Sequence, residues 1–169
     1  RLHRWFPDCQ VVHIVRDGRD ACLSQREQDF GIQDLFECAT TWREQIEWVR
    51  RIGVVLGPAR YFELRYEDLI ADPEPLLRRL CAFLGAAYHP AMLQYHTSVK
   101  QSVPDSKRHL WPKLDKPPQK DNADRWKREF SAGERIGFEK RAGRMLRAMG
   151  YETLASTSGA YGTEVAQMV

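Results

Sequence analysis

At 169 residues the chain has the length of one domain with a sizeable buried core. Its hydrophobic fraction of 43% and charged fraction of 29% are ordinary for a soluble globular protein and set aside fibrous and low-complexity classes. The net charge of +3 suits an anionic small ligand but is too small to argue for nucleic acid, and no apolar run approaches the ~20 residues of a membrane helix.

Phe6-Pro7-Asp8 turns into Val11–Val15, whose β-branched run predicts a buried strand. Asp17-Gly18 follows as a tight turn, and Asp20 is the expected N-cap of a helix that carries Ser24. Leu35, Ala39, Trp42, Ile46 and Val49 recur at helical spacing and predict a long helix to about Leu56, with Trp42 in its core face and Gly57-Pro58 as the stop. Tyr61–Tyr66 alternates as a strand. Asp72-Pro73-Glu74 is a helix start, with N-cap, first-position proline and a first-turn acid. Leu76, Leu77, Leu80, Phe83 and Leu84 give that helix its buried face, and Gly85 stops it.

Residues 86–124 hold prolines and charges and predict a long loop, with a short helical piece near Pro90–His96. Its basic run of Lys107, Arg108, Lys113, Lys116 and Lys120, with His109 and Trp111, reads as a solvated face. Ser131 and Glu134 form a capping box for a helix ended by Gly150, and Tyr151 packs back on the core. Residues 153–169 are small and polar, and are expected to be a disordered tail after a domain of residues 1–152.

Cys9, Cys22, Cys38 and Cys81 form no CxxC pair, and the histidines show no metal-ligand spacing with them. They are expected as reduced, buried thiols of a cytoplasmic protein without a metal.

The order of elements predicts an α/β fold. An arginine leaving a strand, and a serine eight residues later in the first turns of a helix, make a phosphate cradle. The helix N-terminus favours an anion, and a guanidinium can give a phosphate two parallel hydrogen bonds. Arg16 and Ser24 have that spacing.

These residues also carry a family resemblance. Phe6-Pro7-Asp8 with His13-Ile14-Val15-Arg16-Asp17-Gly18-Arg19-Asp20 and Ser24 resembles the 3′-phosphate segment of sulfotransferases that use 3′-phosphoadenosine 5′-phosphosulfate (PAPS). Arg65-Tyr66-Glu67-Asp68-Leu69 with Asp72-Pro73 resembles the family's next strand-to-helix segment. Leu80–Gly85 with Pro90–Leu93, and Arg125–Glu129 with Leu146–Tyr151, resemble its later elements in the same order. The style is similar to bacterial members and to protein-tyrosine sulfotransferases.

The resemblance implies part of a P-loop-NTPase-like three-layer α/β/α fold with a mostly parallel sheet. It assigns cofactor-binding roles to four residues. Arg16 and Ser24 would hold the ribose 3′-phosphate, Tyr66 would lie near the adenine, and Lys120 would contact phosphate. Lys120 is flanked by Gln119 and Asp121, where those members carry arginine and glycine. No loop for the 5′-phosphosulfate and no catalytic base is seen in this sequence, so the N-terminal strand, that loop and its lysine are expected before Arg1. No residue here is therefore assigned as catalytic.

Each role has a plainer alternative. Arg16 can pair with Asp17 or Asp20, Ser24 can satisfy its own helix, and Tyr66 can be rim or core. For Arg19 and Asp20 an ion pair or helix cap is the expected duty, and His13 is expected as a satisfied core histidine. The function implied is sulfuryl transfer from PAPS to a hydroxyl or amine acceptor, small or macromolecular. A non-catalytic nucleotide-binding module and a nucleoside-phosphate kinase relative are the alternatives. Strands missing upstream would leave an open sheet edge, through which a homodimer is expected.

Overall fold

The structure, a computed structural model, describes residues 5–28, 31–97 and 120–154, with only the backbone of Lys120. The chain divides into two units. One comprises residues 1–15 and 55–122, and the other residues 16–54 and 123–169.

In the first unit, β1 (Val11–Val15) and β2 (Tyr61–Arg65) pair in parallel, with Val11 opposite Tyr61 and Val15 opposite Arg65. Side chains alternate between the two faces. His13 and its register partner Glu63 thus share a face with Tyr61. His13 Nδ1 lies 2.7 Å from the Tyr61 hydroxyl and 3.2 Å from Glu63 Oε2, so this strand histidine is satisfied as expected. On the other face Phe62 packs against Phe83, with ring centroids 5.3 Å apart.

The strand ends one residue sooner than its alternation suggests. Tyr66 opens a short helix, α3 (Tyr66–Ala71), directly followed by α4 (Pro73–Leu84). Helices α1 (Gly18–Arg26) and α2 (Leu35–Leu56) precede these in the chain. Pro73 stands at the start of α4 and Gly85 closes it in the left-handed region at φ 68°. Asp72 occupies the N-cap position, but its carboxylate makes no capping bond. The short helical piece expected near Pro90 is a 3-10 turn over Pro90–Gln94. A second 3-10 turn, Lys120–Asn122, lies against α3. The basic positions between 107 and 116, with His109 and Trp111, lie outside the described residues.

The second unit contains α1, most of α2, α5 (Trp126–Glu129) and α6 (Ala132–Ala148). Its core is Leu23, Cys38, Ala39, Trp42, Ile46, Trp126, Phe138, Ala142 and Leu146, all under a tenth exposed. Burying a large apolar side chain of this kind contributes roughly 1.5–3 kcal/mol. Trp42 is in the core as its helical spacing predicts, and Tyr151 packs back as expected. The capping box of α6 is complete. The Ser131 hydroxyl accepts from the Glu134 N–H at 3.2 Å, and Glu134 accepts from the Ser131 N–H at 2.9 Å.

Three expectations are corrected. The cap of α1 is Asp17, which accepts the Arg19 N–H at 2.9 Å; Asp20 lies inside the helix, wholly buried. The helix starts three residues sooner because Gly18 enters it rather than remaining in the turn. The four cysteines are not all thiols. Cys22 of α1 and Cys38 of α2 form a disulfide across Cα atoms 5.9 Å apart, while Cys9 and Cys81 are free. Two cysteines sixteen residues apart on separate helices leave no local signature of pairing. Finally, Thr153, placed at the start of the tail, is fully buried, and the Leu154 N–H is bound by Glu139 at 2.8 Å. Residues 155–169 lie outside the described residues.

Candidate functional site

Arg16 directly follows the last residue of β1 in the chain, and Asp17 then caps α1. Ser24 lies on α1 two turns further on, and the helix brings it back to the arginine. Arg16 Nη1 donates to Ser24 Oγ at 2.8 Å. The hydroxyl that accepts from the guanidinium keeps its own O–H as a donor. A guanidinium and a hydroxyl therefore meet on the second turn of this nine-residue helix, and both can donate to an anion.

The backbone of Arg16 is held from a second helix. The Trp42 indole Nε1–H donates to the Arg16 carbonyl at 3.1 Å. Gly18 makes that approach possible. A Cβ there would stand 2.5 Å from the Trp42 ring, closer than packed atoms approach. Gly18 is not among the positive-φ residues, so it serves space rather than a left-handed turn. The sequence marks Gly18 as turn chemistry, and only the fold shows that Trp42 needs it.

Beneath the cradle lies a buried charged cluster. Arg19, with no exposed surface, grips Asp17 with two nitrogens at 2.9 and 2.6 Å and reaches Glu139 at 3.4 Å. Its guanidinium lies 3.5 Å from the Trp126 ring centroid. Asp20 accepts the Trp126 backbone N–H at 2.9 Å. Burial pushes the Asp20 carboxyl above the usual carboxylate range, against the opposing pull of the Trp126 N–H. Arg19 thus has the ion pair expected of it, whereas Asp20, expected in a cap or an ion pair, accepts the backbone N–H of Trp126, a partner that sequence spacing cannot show. Arg125 and Trp126 enter the sequence reading only as a family-like segment; their contact with α1 spans about a hundred residues.

The other two site residues lie in the first unit. Tyr66, with Leu69, Ile70, Pro73, Leu77 and Tyr95 among others, lines an almost wholly apolar cavity of about 240 Å³. Burial raises the Tyr95 phenol above its ordinary value, with Tyr66 adding to the shift. Helix α3, which begins at Tyr66, lies against the turn that begins at Lys120. The structure therefore brings together Arg16 with Ser24 in one unit, and the elements bearing Tyr66 and Lys120 in the other. Among the described residues no group of three or more His, Cys, Asp or Glu could hold a metal ion, and no helix is long and apolar enough to cross a membrane.

Comparison with known proteins gives this arrangement its context. Residues 1–90 match the model of a sulfotransferase family. The chain is similar to protein-tyrosine sulfotransferase 2 of Gallus gallus, at 26% identity over 58% of this chain and 28% of that protein. It is likewise similar to an omega-hydroxy-beta-dihydromenaquinone-9 sulfotransferase of Mycobacterium bovis, at 34% identity over 53% of this chain and 27% of that one. Among solved structures, the sulfotransferase domain of the curacin biosynthetic pathway superposes with a TM-score of 0.67 at 18% identity, covering 85% of this chain and 54% of that domain. The corresponding domain of the Synechococcus olefin synthase gives 0.62 at 24% identity, covering 85% of this chain and 50% of it. These superpositions establish the α/β fold, and this chain spans about half of each domain.

Proposed function

The chain belongs to the sulfotransferase family, and on that premise we propose that it supplies the 3′-phosphate-binding part of a PAPS site for sulfuryl transfer. The observation that carries this reading is the 2.8 Å bond from Arg16 to Ser24 on the second turn of α1. PAPS differs from ordinary adenine nucleotides by its ribose 3′-phosphate, and a preset guanidinium and hydroxyl supply what that group needs. Preorganisation lowers the ordering cost of binding. Without the 3′-phosphate, Arg16 would lose a charge-assisted partner, so such nucleotides bind less well.

Tyr66 contributes an aromatic wall beside an apolar cavity suited to the adenine, and Lys120 is assigned a phosphate contact from its place in the family pattern. When bound, PAPS supplies the sulfuryl group: its sulfur–oxygen bond to the leaving phosphate breaks as a bond to the acceptor oxygen forms, and the acceptor proton passes to a base. Such in-line transfers depend on positioning and charge stabilisation. The two curated relatives are named for a protein tyrosine and an omega-hydroxy-menaquinone, both hydroxyl-bearing, which favours a hydroxyl acceptor.

Calorimetry with adenosine 3′,5′-bisphosphate and 5′-AMP tests the reading. The bisphosphate should bind more tightly, and Arg16→Ala should weaken it by about 1.5–3 kcal/mol while leaving 5′-AMP nearly unchanged. Equal binding of the two nucleotides, or an indifferent Arg16→Ala, overturns it.

A further inference from the structure

We propose that Trp42 is a positioning residue for the anion site, and that its indole N–H, through the Arg16 carbonyl, sets selectivity for a nucleotide bearing a 3′-phosphate. The inference rests on the reading of Arg16 given above and adds to it the residue on which its aim depends.

Arg16 lies just outside α1, whose ladder begins with the Ala21 N–H donating to the Asp17 carbonyl at 2.9 Å. The Arg16 carbonyl therefore has no place in the helix ladder. The Trp42 Nε1–H takes it at 3.1 Å and fixes the peptide plane from which the arginine side chain departs. A long side chain amplifies any rotation of that plane, so one bond at the carbonyl governs where the guanidinium sits. On the following residue, Asp17 is fixed by two hydrogen bonds from the Arg19 guanidinium. The peptide between Arg16 and Asp17 is thus held from both ends.

Trp42 is placed to act as such an anchor. It is 8% exposed, its ring is 6.4 Å from that of Phe138, and Gly18 leaves the room it needs. A tryptophan that only filled the core would need neither a donor aimed at this carbonyl nor a glycine in the facing helix turn. Phenylalanine retains most of the apolar ring and removes the donor. Trp42→Phe therefore separates anchoring from packing.

The test measures adenosine 3′,5′-bisphosphate and 5′-AMP affinities of the full chain by calorimetry, in wild type, Arg16→Ala and Trp42→Phe. Trp42→Phe is expected to weaken the bisphosphate about 3- to 10-fold, the span of one neutral hydrogen bond, and to leave 5′-AMP unchanged. In the wild type, the Trp42 indole N–H resonance should shift when the bisphosphate is added and stay in place with 5′-AMP. This second readout needs no variant and decides the matter if Trp42→Phe does not fold. A wild-type preference in Trp42→Phe, an equal loss of both ligands, or an unmoved indole resonance overturns the proposal. Failure of the underlying reading looks different: wild type then shows no preference for the bisphosphate, or Arg16→Ala keeps it.

Discussion

The guanidinium carbon of Arg19 lies 3.5 Å from the ring centroid of the Trp126 indole, in a site with no solvent exposure on the arginine. A buried cation of this kind is tolerable only when its partners are complete, and here they are Asp17, Glu139 and the ring face. Removing one partner leaves the others charged and dry. Arg19→Ala is therefore expected to destabilise the protein by about 3–5 kcal/mol. Arg19→Lys is expected to recover only part of this, because an ammonium cannot make the two-nitrogen grip on Asp17 or stack as a plane. Urea denaturation of the two variants checks the order; full recovery by lysine would show that charge alone suffices.

How much of this was legible in the sequence depends on the range of each interaction. The Ser131–Glu134 box, the Gly85 stop and the helical face of Trp42 are set by neighbours within a turn or two, and they are found where spacing puts them. Arg16 and Ser24 are eight residues apart on one strand-to-helix corner, so their meeting could be read from local geometry. The Asp20–Trp126 bond spans 106 residues, and the Cys22–Cys38 bridge joins two helices; neither follows from any period. The cap of α1 falls to Asp17 rather than Asp20 for a local reason, since Gly18 joins the helix, but the partner of Asp20 lies on a distant element.

Asp20 should respond to acid in the opposite sense to most carboxylates. Burial raises its folded pKa above the ordinary value of 3.8, so the folded protein holds this proton at pH values where the unfolded chain has released it. This group alone then makes stability rise as pH falls through the folded pKa toward 3.8. Asparagine keeps an oxygen for the Trp126 N–H and removes the titration. Asp20→Asn is expected to be at least as stable as wild type near neutral pH and to lose that acid-side gain. Asp20→Ala strands the N–H and should cost about 1–3 kcal/mol. Denaturation midpoints across the acid range distinguish the three proteins.

The disulfide between Cys22 and Cys38 closes a loop across a sequence separation of 16. A cross-link over a loop of that length restricts the unfolded chain by about 3 kcal/mol. Dithiothreitol should lower the melting temperature of wild type and leave a Cys22→Ala/Cys38→Ala variant unmoved. Equal melting of wild type with and without reductant would contradict a formed bridge.

Glu134 provides a conventional acid response. The Ser131 N–H and hydroxyl both donate to its carboxylate and hold its pKa below the usual 4.5. Its contribution is therefore present above that value and is lost as pH falls through the lowered folded pKa. Ser131→Ala is expected to cost about 1 kcal/mol at neutral pH. The cost should shrink in acid as Glu134 protonates. A cost that is constant down to strongly acidic pH would show that the serine acts without the glutamate.

Gly18 and Gly133 make the sharpest contrast in sign. Both lie in the first turn of a helix, and neither is at positive φ. At Gly133 nothing stands within 4 Å of an added Cβ, so Gly133→Ala should stabilise by about 0.5–1 kcal/mol through helix propensity alone. At Gly18 the added methyl meets the buried Trp42 ring at 2.5 Å, with Phe138 on the ring's neighbourhood limiting its retreat. Gly18→Ala is therefore expected to destabilise by about 1–3 kcal/mol, the ordinary cost of overpacking. The same chemical change thus reports propensity at one site and packing at the other. If both variants melt above wild type, the indole can move aside freely, and Gly18 is not what holds Trp42 to the Arg16 carbonyl.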